Sequence, residues 1–291
     1  MNTPSLIAVD LEFPRGSVTT VTFRADYLAR STVAAQLSDV LPHVKELLRW
    51  RSRVRDAWRY SFTVFKGEVQ PRWSQATRKR TLPLSDFPFD SDVRLYSGGL
   101  NIILLVLESP HISEYHYHAK GKRVLPKGPA QGLLPGDAGG AIRQYGLQVL
   151  ALLAKRKRLD DGEYALVLAN PVPYLTSLHW MDVLLGQVES PIGGLKDTVR
   201  NHVWKRLWMQ PGMKDHFIQR CRQYKPVAIL NCCTGGLTRK YSLKNSVSSA
   251  LLEAGFGEIT YCAHHPSYNW MVSFAENSKR PMDVTPAVCF Y

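Results

Sequence analysis

The sequence predicts an α/β fold, with three α/β/α layers built around a four-stranded, mostly parallel sheet. From about Leu100 onward in the 291-residue chain, short apolar runs alternate with amphipathic helical segments. This alternation is typical of a parallel sheet covered by helices on both faces. Three of the runs also end in clusters of polar residues. Residues 1–95 lack the alternation and are predicted to be a basic, partly helical N-terminal extension, so the α/β domain spans residues 96–291.

The strands are predicted from four apolar runs that are bounded by glycine, proline or polar residues. In chain order they are NIILLVL, which follows Gly98 and Gly99, then YALVLANPVPYL, PVAILNCC and EITYCAHHPS. The first run, NIILLVL, is a short apolar run, as expected for a buried strand.

The helices are predicted from periodic apolar residues and from end signals. The segments are GGAIRQYGLQVLALLAKRKRL, with a start between Asp137 and Gly140, then LKDTVRNHVWKRLWMQ, MKDHFIQRCRQYK and LKNSVSSALLEAG, which Gly255 closes. In the extension we expect a helix from Ser31 to Tyr60, with a possible break at Pro42. The stretch QPRWSQATRKRTLPLSDFPFD is then predicted to be a loop.

The charge of the chain indicates a polyanionic partner, for which nucleic acid is the leading candidate. The formal net charge is +13 and the isoelectric point is about 9.6. Basic residues and tryptophans interleave between residues 49 and 80, which suits contact with a nucleic-acid backbone and stacking on bases. Acidic membrane lipid and a solvated helix face are the alternatives. The basic residues are Arg49, Arg51, Arg53, Arg55, Arg59, Lys66, Arg72, Arg78, Lys79 and Arg80.

Cysteine usage predicts a reducing, cytoplasmic setting without a metal or other cofactor. The five cysteines are odd in number and none lies in a C-x-x-C pair. His116 and His118 have the spacing of one strand face, but no companion cysteine or aspartate set accompanies them. No apolar run reaches the roughly 18 residues of a membrane helix. We expect no membrane association and a monomer.

Polar clusters follow three of the four predicted strands. They begin at Glu108, Asn170 and His264. In parallel sheets ligands bind outside the carboxyl ends of the strands, so we expect these clusters to converge on one cleft.

In sequence these clusters resemble the motifs of the uracil-DNA glycosylase superfamily. The match covers roughly Leu100 to Trp270. The stretch LESPH resembles the first motif, the strand-end asparagine of VLANPVP resembles the family's base-reading asparagine, and HPS matches the last motif. PVAILNCCTGG resembles the strand before that motif. The departures are Leu107 in place of a glycine, His111 in place of a tyrosine or glycine, and Tyr-Asn-Trp after HPS where relatives carry a wedge such as leucine.

The resemblance implies a metal-independent, monofunctional DNA glycosylase that flips out a base, excises it and leaves an abasic site. Glu108 would stabilise the sugar cation and orient water, His265 would donate to the departing base, and Asn170 would read the base edge. Each also has a structural alternative. Glu108 could cap a helix or form an ion pair, His265 could be a structural histidine, and Asn170 could cap the turn before Pro171. Ser109, Pro110 and His111 are expected to contact the base, and Pro266 and Ser267 to contact phosphate. Tyr268 and Trp270 are expected to fill the place that the base leaves in the stack. Arg78, Lys79 and Arg80 are expected to contact DNA elsewhere.

The departures from the family motifs indicate a modified or damaged base rather than plain uracil. A glucosylated hydroxymethylcytosine of phage DNA, met in antiviral defence, is one candidate. The alternatives are a conventional uracil-DNA repair glycosylase and a non-catalytic binder of DNA or nucleotide on the same fold. An α/β hydrolase is disfavoured because the chain lacks a G-x-S-x-G elbow.

Overall fold

A computed structural model describes residues 6–12, 18–24, 53–71, 100–117, 124–132, 134, 136–176, 196–235, 242–275, 278–279 and 281–287. The chain divides into two compact units. One, here called the sheet unit, comprises Arg55–Glu108, Gly128–Pro171 and His216–Tyr291. The other, here called the hairpin unit, comprises Met1–Val54, Ser109–Lys127 and Val172–Asp215.

The sheet unit contains a mixed, strongly curled sheet of seven strands, which confirms the α/β class. The strands are β3 (Ala57–Phe65), β4 (Glu68–Pro71), β5 (Asn101–Val106), β8 (Gly162–Ala169), β9 (Ala228–Asn231), β10 (Thr260–Cys262) and β11 (Thr285–Pro286). Their order across the sheet is β11-β10-β9-β5-β8-β3-β4.

The four strands predicted from sequence form the contiguous parallel block β10-β9-β5-β8 within this sheet. The sheet nevertheless has seven strands rather than four, because β3, β4 and β11 extend the block with antiparallel pairs. Five of the six residues of β5 are buried. This burial explains why the central strands have continuous apolar runs instead of alternating ones.

The predicted helix from Ser31 to Tyr60 is wrong at its described end. Ala57–Phe65 is a strand that pairs antiparallel with β8. Its sequence, AWRYSFTVF, is rich in aromatic and β-branched residues, and its side chains largely alternate between buried and half-buried, which is the period of a strand. Residues 31–52 and the loop predicted beyond residue 71 lie outside the described residues.

The long helix α1 (Ala138–Lys157) covers the sheet and confirms the prediction of a helix that starts near Asp137. Its buried apolar side chains, such as Ile142, Leu150 and Leu153, join the core of the sheet unit. Burial of each contributes about 1.5–3 kcal/mol. Three basic residues occupy the last turn, where the helix dipole favours positive charge.

Three further predicted helices are confirmed: α2 (Lys196–Trp208), α3 (Met213–Tyr224) and α4 (Leu243–Glu253). The helix α4 begins at Ser242, whose side chain accepts a hydrogen bond from the backbone N–H of Asn245 at 3.0 Å. Gly255 has φ +88°, a left-handed conformation that suits glycine after a helix end. The short helix α5 (Ser267–Ser273) was not predicted.

The hairpin unit contains two antiparallel strand pairs and α2. The pairs are β1 (Leu6–Glu12) with β2 (Val18–Arg24), and β6 (Tyr115–Tyr117) with β7 (Val124–Pro126). On α2, the rings of Trp204 and Trp208 stack at 5.2 Å between centroids. In the part of the chain that the structure describes, no helix is both long and apolar enough to cross a membrane.

Candidate active site

The carboxyl ends of the four parallel strands lie at one level of the sheet. Val106, the last residue of β5, pairs with Ala169 on β8 and with Asn231 on β9. Asn231 pairs in turn with Cys262 on β10. Because neighbouring strands lie about 4.8 Å apart, the residues after these four ends leave the sheet side by side. We call this side of the sheet unit the carboxyl edge.

Glu108 leaves the carboxyl edge two residues after β5 and is only 4% exposed. Its Oε2 accepts a hydrogen bond from the hydroxyl of Thr234, which follows β9. The neighbouring Cys233 thiol has a pKa well above its usual value, first because it is buried and second because the Glu108 carboxylate is close. The Glu108 position therefore combines a buried carboxylate with a hydroxyl that holds it, which suits a general base or an anion beside a cation.

Asn170 follows β8 directly and is 1% exposed. Neither its side-chain oxygen nor its side-chain nitrogen has a hydrogen-bond partner among the described residues. Leaving a buried polar group unpaired costs about 1–3 kcal/mol, so most such groups in native proteins are paired. An amide in this state is ready to pair with a ligand that presents one donor and one acceptor.

Asn231 ends β9 on the other side of β5, and its amide is fully engaged. Its nitrogen donates to the Lys244 carbonyl and to the Ser248 hydroxyl, each at 2.9 Å. Its oxygen accepts from the backbone N–H of Cys233 at 3.1 Å. This asparagine therefore joins the end of β9 to the helix α4, which is a structural role.

His265 leaves the carboxyl edge three residues after β10 and is half-buried. Its Nδ1 lies 2.9 Å from the Ser267 hydroxyl and accepts a long contact of 3.4 Å from the Ser267 backbone N–H. A backbone donor at Nδ1 favours the tautomer that carries its proton on Nε2. Pro266 is buried and starts the turn into α5, so Ser267 is the first residue of that helix.

Trp270 is fully buried, and its indole N–H donates to the His264 carbonyl at 2.7 Å. It belongs to the core cluster of the sheet unit. A side chain held in this way fixes the chain around the histidines instead of standing ready to enter a base stack. The burial of Trp270 therefore counts against its predicted wedge role. The sequence motif does not indicate which way the ring faces, so this burial was not predicted.

Ser109, Pro110 and His111 lie in the hairpin unit. The Ser109 hydroxyl is 2.7 Å from the Thr176 hydroxyl, and Pro110 is buried. His111 is exposed, with its Nδ1 3.1 Å from the Ser113 hydroxyl. The predicted roles of these three residues at a base stay predictions. The predicted DNA contacts Arg78, Lys79 and Arg80, and the Tyr268 side chain, lie outside what the structure describes.

Leu134 is a large apolar side chain that the sequence analysis did not select. It is 70% exposed and precedes α1 by four residues. Because α1 crosses over between two parallel strands, its first turn lies toward the carboxyl edge. Leu134 is anchored at its backbone: its N–H donates to Asp137 Oδ2 at 3.2 Å, and its carbonyl accepts from the Asp137 N–H at 2.9 Å.

The base of this loop is also closely packed. A Cβ built on Gly139 would lie 2.1 Å from the Ala130 carbonyl oxygen, so only glycine allows the loop to approach α1 this closely. Leu134 is therefore an exposed apolar group whose backbone makes two hydrogen bonds to Asp137.

Two of the residues at the carboxyl edge lie within reach of sequence reasoning and were missed. Asn231 ends a predicted strand and Thr234 follows it, so the same strand-end pattern that selected Glu108 includes them.

In the described ranges, no group of three or more histidine, cysteine, aspartate or glutamate side chains is arranged to hold a metal ion. Comparisons with models of protein families, with curated proteins and with solved structures find no match.

Proposed function

We propose that the protein is a monofunctional DNA glycosylase that flips a modified or damaged base out of DNA and cleaves its N-glycosidic bond. The carboxyl edge of the sheet unit would be its active site, on a three-layer fold like that of the uracil-DNA glycosylases. The strand-end motifs support the proposal, and the net charge of +13 supports DNA as the partner.

The observation that carries the proposal is the buried amide of Asn170, which has no hydrogen-bond partner in the part of the chain that the structure describes. The Watson–Crick edge of a nucleobase presents donors and acceptors side by side, and it becomes available once the base leaves the stack. Hydrogen bonds to such an edge would offset the free-energy cost of burying the amide without partners. A site built to make these hydrogen bonds also rejects ligands that cannot make them, which gives base selectivity.

Glu108 and His265 would stabilise the two charges that develop as the glycosidic bond breaks. As the glycosidic bond breaks, positive charge grows on the sugar and negative charge grows on the departing base. A buried carboxylate at Glu108 would stabilise the sugar cation and take a proton from the attacking water. The Nε2–H of a neutral His265 would donate to the base as its charge grows.

Leu134 is the candidate for the group that fills the vacated place in the stack. Among the described residues of the sheet unit it is the exposed large apolar side chain that lies toward the carboxyl edge. Apolar side chains that enter a base stack offset part of the cost of unstacking. Leu134 would therefore replace Trp270 in the predicted wedge role.

The first test is base release. The protein would be incubated with single-stranded and duplex DNA that carries uracil, alkylated bases, hydroxymethylcytosine or glucosylated hydroxymethylcytosine. Alkali would convert abasic sites into strand breaks, and mass spectrometry would identify the freed base. We expect release that falls by about 10²–10⁴-fold in Glu108→Gln and also falls in His265→Ala. The matched control is Glu68→Gln, which changes an exposed carboxylate on β4.

Two other results would redirect the proposal. Release of uracil alone would identify a conventional uracil-repair enzyme. DNA binding that is salt-sensitive, without release of any base and without an effect of Glu108→Gln, would identify a non-catalytic binder and overturn the enzyme.

A further inference from the structure

A buried ion pair lies beside Asn170 in the sheet unit. Arg220 on α3 donates through Nη1 to Oδ1 of Asp56, the residue just before β3. The two side chains are 11% and 1% exposed. The Tyr224 hydroxyl, one turn further along α3, donates to the other carboxylate oxygen of Asp56 at 2.7 Å. Asp56 is thus held on both oxygens, and it orients the guanidinium.

The second terminal nitrogen of Arg220 bonds the turn that carries Asn170. Nη2 donates to the Asn170 carbonyl at 2.9 Å and lies 3.4 Å from the Pro171 carbonyl. The planar guanidinium therefore joins Asp56 to the two carbonyls in one orientation, which a single ammonium cannot do. The pKa of Arg220 is raised, because the Asp56 carboxylate and neighbouring groups outweigh the lowering effect of burial. The side chain therefore stays charged.

Stability alone gives a weak account of this arrangement. Taking two charges out of water costs free energy, and apolar replacements for buried ion pairs are often neutral or stabilising. Arg220 also keeps a buried Nε with no partner among the described residues. The arrangement is therefore costly and incompletely satisfied, while its geometry is specific.

These hydrogen bonds fix the backbone on either side of the Asn170 amide. Ala169, the residue before Asn170, accepts from the Leu107 N–H at 2.8 Å, and Asn170 itself accepts from Arg220. The following proline restricts Asn170 to extended backbone. Among the described residues the amide has no hydrogen-bond partner that would orient it, so within them its direction depends on this backbone.

We propose that Arg220 is a positioning residue for Asn170, with Asp56 and Tyr224 holding its guanidinium. Arg220 touches neither the base nor the sugar and acts through the Asn170 carbonyl. The inference rests on the proposed function, since it assumes that the Asn170 amide reads a base. It adds that base selectivity depends on an ion pair between α3 and the start of β3, at positions that no strand-end motif includes.

The test compares Arg220→Lys with Arg222→Lys, which makes the same substitution at an exposed position of α3. Lysine keeps the charge beside Asp56 but loses the planar fork. The first readout is the NMR signal of the Asn170 side-chain NH₂ in protein made with isotopically labelled asparagine, assigned by its loss in Asn170→Asp. We expect this signal to shift or broaden in Arg220→Lys and to stay unchanged in Arg222→Lys.

The second readout is base release from the DNA panel used for the wild-type protein. A displacement of the order of 1 Å in a contact group costs up to about a hundredfold in rate. We expect Arg220→Lys to lower kcat/KM by about tenfold to a hundredfold for the released base and to reduce discrimination between bases. The melting temperature of each variant is measured to detect a loss of fold. If Arg220→Lys does not fold, Tyr224→Phe replaces it, because that variant keeps the guanidinium and removes one of the groups that hold Asp56.

An unmoved Asn170 signal together with wild-type selectivity would overturn the inference and leave the ion pair as a structural contact. The NMR readout does not depend on catalysis. A wild-type protein that releases no base from any DNA would therefore defeat the proposed function, while the signal would still decide whether Arg220 positions Asn170.

Discussion

Two asparagines stand on either side of β5 at the carboxyl edge, and they differ in what their amides bind. Asn231 on β9 has three hydrogen bonds to neighbouring groups. Asn170 after β8 is equally buried and has none among the described residues. Residue type, burial and position on the sheet are nearly the same, so hydrogen bonding alone separates them.

The difference separates an amide that serves the fold from one that serves a ligand. The Asn231 amide is satisfied by the protein itself, so it contributes to stability and has no capacity left for a ligand. The Asn170 amide has no partner among the described residues, so it contributes nothing to stability there and has its full capacity left for a ligand. Matched substitutions at the two positions should therefore have opposite consequences.

The largest effect is expected from Asn170→Leu, which keeps the shape of the side chain and removes its polar atoms. We expect base release to fall by about 10²–10³-fold, the loss typical for one preorganised donor. The free energy of unfolding should stay level or rise by about 1 kcal/mol, because an unpaired buried amide is removed. Base-release kinetics and urea unfolding measure the two quantities. A large drop in stability would mean that the amide has partners within the fold.

The same substitution at the other asparagine, Asn231→Leu, should mainly lower stability. It removes three hydrogen bonds and leaves the Cys233 N–H buried without its acceptor. We expect the free energy of unfolding to fall by about 3 kcal/mol. Urea unfolding followed by circular dichroism measures this loss. If the variant is as stable as the wild type, the contrast between the two asparagines does not hold.

The pH dependence of stability should show that the core around Cys232, the residue after β9, excludes water. Burial raises the pKa of Cys232 from 9.0 to about 12, so the folded state holds the thiol proton more tightly than the unfolded state. This stability is fully present below about pH 9 and is lost as the pH rises toward 12, by up to about 1.4 kcal/mol per pH unit. Unfolding free energies between pH 8 and about 11 should fall less steeply in Cys232→Ala. Equal slopes would mean that the thiol is accessible to water.

The smallest effect compares the two ends of the sheet unit. Leu134 lies toward the carboxyl edge, whereas Phe65, which is 55% exposed, ends β3 at the opposite end. We expect Leu134→Ala to lower base release from duplex DNA by about tenfold and to change release from single strands little, because only a duplex has a stack to fill. Phe65→Ala should change neither rate. Equal losses on both kinds of DNA would remove the wedge role from Leu134.

The sequence predicted the parts of the fold that depend on local pattern. The four parallel strands and the helices α1 to α4 could be predicted because their signals, namely apolar runs, helix caps and a closing glycine, are local in the sequence. The strand β3 was misread because Arg59 and the helical pattern predicted before it concealed its period of two. Antiparallel strands at the flank of a sheet depend on which partner is available, and that is tertiary information.

The positions of the candidate site residues were predictable to a similar extent. Glu108, Asn170 and His265 were expected together because each follows a strand, and the carboxyl ends of these strands do lie at one level of the sheet. Their roles stay predictions. The direction of Trp270 and the exposure of Leu134 follow from packing, so no motif indicates them. Asp56 and Arg220 are far apart in the chain, and each has an ordinary sequence environment. Their pairing becomes visible only when α3 meets the start of β3.

The order of the strands has a consequence for how the chain is made. Ser61 pairs with Ala165, and Leu104 pairs with Ile229, so each pairing closes a loop of roughly 100 residues or more. Synthesis adds about 5–20 residues per second. The run NIILLV therefore leaves the ribosome several seconds before its partner strands and stays unpaired, with a strong tendency to aggregate. A nascent chain stopped between β8 and β9 would leave one side of β5 without its partner strand, and an unpaired strand of this kind is prone to aggregation.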